Sequence, residues 1–376
     1  MKILSANLPR FIRRALRLGA AAGAVSLLAS CSTLNYYSQA AQGQLELLAD
    51  ARPIDDWLAD PNTNTSLRHR LETARQIRRF AVQQMGLPDN GSYTNYAALK
   101  RKYVLWNVVA TPELSLQPLQ WCFPVAGCVN YRGYYSKADA DAYAKQLRAQ
   151  GRDVEVGGVS AYSTLGWFRD PLISTFIHYP DAELARLIFH ELAHQVTYVP
   201  GDSRFNESFA SAVEEAGVEL WLQRFGNPVM REAYERYTLR RKDFLALLLK
   251  YRRELERTYA SPLSDDDKRI AKARLFLELK DEYQVIKANW GGYAGYDRFF
   301  AEPLSNAHLA SIATYTDYVP AFRALLRGEK DFGAFYRKVG SLARLGKEER
   351  QRAIKLIDVA APPGTFVVQR SSGGLR

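Results

Sequence analysis

Between Phe189 and Ala210 the chain reads Phe189-His190-Glu191-Leu192-Ala193-His194-Gln195 and then Phe205-Asn206-Glu207-Ser208-Phe209-Ala210. A helix advances about 100° per residue, so His190 and His194 leave one face, a turn apart. Two imidazoles so placed are half of a zinc site. Zinc takes N, S or O ligands in a near-tetrahedral cage, and a catalytic zinc keeps one corner for water. Glu207, thirteen residues after His194, is the candidate third ligand. The segment Tyr198-Val199-Pro200-Gly201-Asp202 lies between them, and Pro-Gly signals a turn. The chain can therefore reverse and return Glu207 on a second helix beside the first. Glu191 is rotated off the ligand direction but stays near the open corner, placed to take a proton from a water that attacks a carbonyl. The alternative is an ordinary amphipathic helix pair. It would bury two His and three Glu (Glu207, Glu214, Glu215) with no metal or paired charge, which is costly.

"HELAHQ" followed by "NESFASAVEEAG" resembles the gluzincin metallopeptidases, most nearly the membrane-alanyl-aminopeptidase type. The resemblance implies that His190, His194 and Glu207 bind one zinc ion and that Glu191 is the base. The link between the two segments is much shorter here, and no Gly-Ala-Met-Glu-Asn stretch, which reads the substrate amino terminus in that group, is recognisable. Together with the "LASC" start, "FPVAGCVNYRGYY" and "SAYSTLGWFRDP", the chain also resembles a family of predicted bacterial aminopeptidase lipoproteins. That second resemblance covers most of the chain after the start. The fold it implies is α+β and mostly helical, zincin-like, with a small sheet before the His-Glu-x-x-His helix and a helical C-terminal half.

The first thirty residues set the compartment. Lys2, Arg10, Arg13, Arg14 and Arg17 make a basic start without an acid, and Leu18–Leu28 is an apolar, small-residue run. Eleven residues are too few for a membrane span, so residues 1–30 read as a secretory signal. Leu28-Ala29-Ser30-Cys31 resembles a bacterial lipobox, which implies lipidation at Cys31; a plain signal peptide cut nearby is the alternative. Ser32 follows, where an Asp would mark inner-membrane retention, so the expected place is the outer membrane, facing the periplasm. Without residues 1–30 the net charge drops from +11 to +6, because five of the 51 basic residues and none of the 40 acids are lost. This modest bias fits a basic surface, and no nucleic-acid motif is present. Cys122 and Cys128 remain, either as a disulfide closing a short loop or as two buried thiols. Neither reads as a zinc ligand, since no further Cys completes a cage.

The rest of the chain divides into residues 31–60, a tether with an early helix; 61–225, the core with the small sheet and ligand helices; 226–362, helical; and 363–376, a polar Gly-rich tail expected to be disordered. Leu67, Leu71, Ala74, Ile77 and Ala81 have helical spacing up to Gly86-Leu87-Pro88. Strands are expected at 103–110, 153–161 and 174–178, with a helix at 137–150. Glycines in Val156-Gly157-Gly158-Val159-Ser160 fit either an edge to which a peptide adds, with Gly157, Gly158 and Ser160 on the substrate, or a bulge with no ligand. Asp181 is expected to cap a helix running to Tyr198, and Ser203 to start the Glu207 helix. Glu214, two turns after Glu207, either holds a ligand His by its second nitrogen or is a surface carboxylate. Glu215 and Glu219 are expected in solvent. Long helices follow as an antiparallel hairpin, then two more. The Trp290–Tyr296 loop either shapes a pocket or packs on those helices.

Amide hydrolysis passes through an oxyanion that needs a second donor, which gluzincins take from a Tyr or His downstream of the Glu ligand. His308 and Tyr315 are the candidates here. The functional reading is a one-zinc peptidase, an aminopeptidase by resemblance, acting on peptides or proteins. The reading from another class is an envelope lipoprotein that binds peptides or proteins around a structural zinc, or that cuts them internally.

Overall fold

The computed structural model describes residues 34–123, 127–310, 312 and 318–360. The chain divides into two units at Leu47–Leu48, within helix α1 (34–49), and residues 34–47 are the described part of the first. No described helix is long and apolar enough to cross a membrane. Cys31, Tyr315 and the tail from residue 363 lie outside the described residues.

The second unit is a mostly helical α+β assembly with small sheets. Strand β1 (Ala51–Pro53) leads into helix α2 (Ile54–Ala59) and pairs antiparallel with β2 (Asn95–Ala97). Between them runs α3 (Thr65–Met85). Asn64 caps it, accepting the Leu67 amide at 2.8 Å, and Gly86 ends it in the left-handed region at φ 64°. A second sheet sets β3 (Leu105–Pro112) between the hairpin-side strand β6 (Arg132–Tyr134) and β7 (Arg152–Val159), all antiparallel. Strands β4 (Trp121–Phe123) and β5 (Gly127–Val129) form a separate hairpin, closed by the Cys122–Cys128 disulfide. Helix α4 (Lys137–Ala149), capped by Ser136, precedes β7. The single small sheet expected from sequence is thus two sheets and a hairpin.

The strand expected at 174–178 is a turn. The strand is Leu172–Ile173, β8, which pairs parallel with β2. Hydrogen bonding decides this: Phe176 and Ile177 amides return to the Ile173 carbonyl at 3.2 and 3.1 Å. Arg70 then collects the carbonyls of Ile177 and Tyr179 at 2.8 and 2.6 Å and pairs with Asp181. That pairing also explains why Asp181 is no cap. Helix α5 (Asp181–His194) starts from Pro180 without a side-chain cap, and the Asp181 carboxylate serves Arg70 instead. Helix α5 ends at His194 rather than Tyr198, because the Gln195 and Val196 amides turn back to Leu192 and Ala193.

Helix α6 (Ser203–Phe225) lies against α5. Gly217 permits the close approach: a Cβ there would stand 2.3 Å from Met85 Cε on α3 and 2.7 Å from the Phe189 ring on α5. The linker from α5 to α6 is itself held on one side by the disulfide hairpin. A Cβ on Gly127 would meet the Gly201 nitrogen at 2.6 Å. Helices α7 (Pro228–Ala260) and α8 (Asp265–Asn289) form a hairpin with its own core of Leu247, Leu248, Tyr251, Leu255, Leu279 and Tyr283. The Trp290–Tyr296 loop packs on it: Tyr296 stacks on Phe244 at 4.0 Å and Trp290 Nε1 donates to Asp243 at 3.1 Å.

After the short helix α9 (Asn306–Ala310) come three helices, not two: α10 (Val319–Arg327), α11 (Phe332–Ala343) and α12 (Lys347–Ala360). Gly328 ends α10, and Asp331 caps α11 by accepting the Ala334 amide at 2.7 Å. Phe322 and Phe335 pack on Phe205 and Phe209 of α6. Arg350 of α12 reaches the start of α6, where Nε and Nη2 donate to Asp202 at 3.0 and 2.7 Å. Asp202 uses its other oxygen to cap the Phe205 amide at 3.2 Å. Both partners are almost fully buried, so removing one strands a charge. Arg350→Ala is expected to cost about 3–5 kcal/mol in denaturant unfolding. Arg274→Ala, whose pairing with Glu278 is exposed, leaves the midpoint essentially unchanged.

Candidate active site

Helix α5 carries His190 and His194 toward α6, and α6 carries Glu207 back toward them. Asn206 fixes the return. Its amide nitrogen donates to the Val199 carbonyl at 2.9 Å and its oxygen accepts the Val199 amide at 2.8 Å, so linker and helix are locked one residue before Glu207. His190 Nε2 and His194 Nε2 lie 3.1 Å apart, His190 Nε2 lies 3.3 Å from Glu207 Oε2, and His194 Nε2 lies 3.7 Å from Glu207 Oε1. Atoms that each bind one zinc at about 2.0–2.1 Å in a tetrahedron stand about 3.3 Å apart. The three side chains therefore span one face of such a cage, and together they can hold a metal ion.

The donors suit that role. His190 Nδ1 donates to Glu214 Oε2 at 2.8 Å, which turns Nε2 toward the other two groups. Glu214 in turn accepts Arg186 Nη1 on both oxygens, at 3.2 and 3.0 Å. His194 Nδ1 is buried with no partner, so the polar function of that ring is at Nε2. Burial would lower the His190 pKa, but Glu214 and Glu207 outweigh it and raise it to about 10. Burial holds His194 at about 4. Glu214 sits near 2: burial pushes it up, and Arg186 and His190 more than reverse this. Glu191, between the two imidazoles in sequence, is pushed up to about 7 by burial, with Glu207, Asp170 and Glu214 adding to the rise and His190 opposing it.

Other groups come to this site without a clear signature in the sequence. Arg186 is four residues before His190, on the same helical face, and such spacing is its one sequence signal. Gln195 Nε2 reaches Asp170 at 3.5 Å and Ser92 at 3.3 Å, and Gln195 Oε1 accepts from Asn90 at 2.7 Å. Asp170 is buried and organises the 163–168 loop by accepting the Thr164 amide and hydroxyl at 2.9 and 2.7 Å. Glu215, expected in solvent, pairs with Arg323 of α10 at 3.2 Å.

Gly157 and Gly158 lie on β7, opposite Asn107 and Trp106, with the other edge of β7 unpaired by any strand among the described residues. A Cβ on Gly158 would stand 2.3 Å from the Tyr103 ring, so an aromatic of the chain itself makes the close approach there. Ser160 lies one residue beyond β7. Its hydroxyl accepts Tyr179 OH at 3.0 Å and its carbonyl accepts Thr175 Oγ1 at 2.6 Å, which ties this end of β7 to the segment leading into α5.

His308 is not brought to the cluster. It sits on α9, its Nδ1 accepting the Ser305 amide at 3.1 Å and its ring edge-on to Phe299. The charges acting on it are Glu302, Asp153 and Arg148.

The arrangement is two histidines and one carboxylate that could hold a metal ion, in a mostly helical α+β protein. The chain belongs to the family described as "Putative aminopeptidase", whose model matches residues 35–354. No curated protein matches the chain, and neither does any solved structure. The family description points to peptidase activity.

Two outcomes follow from this geometry. Glu214→Gln is expected to weaken zinc binding about 10–100-fold in chelator competition, as loss of a carboxylate behind a ligand His does, with Glu219→Gln as the unaffected control. His308 is held at about 4 by burial, against about 6.5 in an unfolded chain. The unfolded state therefore binds the extra proton first, and stability falls as pH drops from about 6.5 toward 4. In His308→Gln that part of the slope is expected to disappear from thermal melts taken across the interval.

Proposed function

We propose that the chain is a zinc-dependent peptidase, an aminopeptidase on a zincin-like scaffold, with His190, His194 and Glu207 as metal ligands and Glu191 as the base. The observation that carries this reading is the set of separations among the three ligand atoms, 3.1, 3.3 and 3.7 Å, on two helices whose linker is locked by Asn206. The family match supports the peptidase class.

When bound, the zinc ion would polarise the scissile carbonyl and lower the pKa of the attacking water. Glu191 takes the proton from that water and delivers it to the leaving nitrogen as the C–N bond breaks. Its position near 7 suits both transfers. Glu214 and Arg186 hold His190 in one tautomer and one orientation throughout. The free edge of β7 at Gly157 and Gly158 offers main-chain groups to an extended peptide, and Ser160 anchors the end of that edge. A downstream hydroxyl is still needed for the oxyanion. Tyr315, which lies outside the described residues, is the candidate. The same reading has Cys31 lipidated and the chain held at the outer membrane facing the periplasm. The Cys122–Cys128 disulfide suits that oxidising compartment.

Glu191→Gln keeps all three ligands and removes the base. With a library of free and amino-blocked peptides, the expected result is a loss of at least about 10²-fold in kcat/KM at unchanged zinc content. Release of single amino acids from free peptides alone supports the aminopeptidase assignment. Cleavage of blocked peptides overturns it, and full activity in Glu191→Gln overturns the mechanism.

A further inference from the structure

Tyr93 takes a left-handed backbone conformation, φ 61°, which residues with large side chains rarely adopt. Such a conformation persists where the surroundings enforce it, and it concentrates at functional sites. Here the enforcement is visible. The Tyr93 amide donates to the Asp170 carbonyl at 2.6 Å. The preceding Ser92 accepts Gln195 Nε2 on its hydroxyl at 3.3 Å and Arg78 Nε on its carbonyl at 2.7 Å. Asn90 donates to Gln195 Oε1 at 2.7 Å.

Gln195 follows His194 directly and stands four residues after Glu191, one turn along the same side of the helix end. The turn carrying Tyr93 is therefore fastened to the side of the helix from which Glu191 projects. The product of these constraints is a phenol ring that is 2% exposed and a hydroxyl with no hydrogen-bond partner. A buried hydroxyl left unpaired is a cost that a fold normally avoids.

The negative charges of two carboxylates act on that hydroxyl, Glu191 most strongly and Asp170 next. Asp170 is already committed: it accepts the Thr164 amide and hydroxyl at 2.9 and 2.7 Å, and Gln195 Nε2 lies at 3.5 Å. Of the two, Glu191 is the one carried by the helix end that Gln195 fastens to this turn. The hydroxyl is buried away from solvent and so reaches the chemistry through Glu191 rather than by touching substrate.

We propose that Tyr93 is a positioning residue: its hydroxyl donates to one oxygen of the Glu191 carboxylate once substrate is seated, and so aims the other oxygen at the attacking water. Bonds of this kind are often long before substrate arrives and tighten in the complex. The proposal rests on the peptidase reading above.

The test uses the full zinc-loaded chain, a peptide that the wild type cleaves, and Tyr93→Phe, which keeps the ring. The expected result is a fall in kcat of about 10–100-fold with KM changed by less than about twofold. Zinc per chain stays as in the wild type, and the melting temperature does not fall. In a Glu191→Gln background the same change adds no further loss, because the two residues act as one unit. Unchanged kcat, a loss that tracks melting temperature or zinc content, or full additivity with Glu191→Gln each overturns the proposal and leaves the peptidase reading standing. A zinc-loaded wild type that cleaves nothing overturns both. A 3-fluorotyrosine at position 93, nearly the same size and a stronger donor, is expected to change kcat at constant melting temperature. No change in kcat overturns the proposal even where Tyr93→Phe fails to fold.

Discussion

Two imidazoles and two carboxylates meet between α5 and α6 in a setting that is otherwise apolar, and the structure depends on balancing them. His190, His194, Glu207 and Glu214 are all withdrawn from water to a degree that makes an isolated charge expensive. Arg186 offsets Glu214, Glu214 fixes His190, and the remaining lone pairs converge on one point. A divalent cation at that point would complete the balance, and the same side chains would then serve both the packing of the helix pair and its chemistry.

The periphery is arranged to keep that convergence exact. Asn206 clamps the linker, Asp202 caps α6, and Arg350 arrives from the last helix to hold Asp202. The disulfide hairpin backs Pro200 and Gly201 from the other side. On the far end of α5, Gln195 gathers Asn90, Ser92 and Asp170, and thereby brings a strained tyrosine to the face of Glu191. The Asn206 clamp and the Asp202 cap are local, while the Arg350, disulfide-hairpin and Gln195 contacts join residues distant in sequence.

That division decides what was legible in the sequence. The helical spacing from Leu67 to Ala81 and the grouping of His190, His194 and Glu207 are local patterns, and they can be read in a line of text. The turn at 174–178 was not readable as one, because its β-branched and aromatic residues favour a strand and the Ile177 and Tyr179 carbonyls are taken up by Arg70, more than a hundred residues away. Asp181 looks like a cap for the same reason, its true partner being Arg70. His308 has the right chemistry for an oxyanion donor, yet tertiary packing carries α9 to Asp153 and Phe299 instead. Arg186 and Tyr93 carry no motif at all; one is visible only as a helical neighbour of His190, the other only through its backbone angle and its unpaired hydroxyl.

The central claim is that the seam between α5 and α6 holds one divalent cation. Metal content of the full chain, purified without chelators and measured by plasma mass spectrometry beside His194→Ala, tests it most directly. The account predicts about one zinc per chain, lost in the variant. A chain that is folded yet free of metal in both forms, and that stays free on zinc titration, would contradict it.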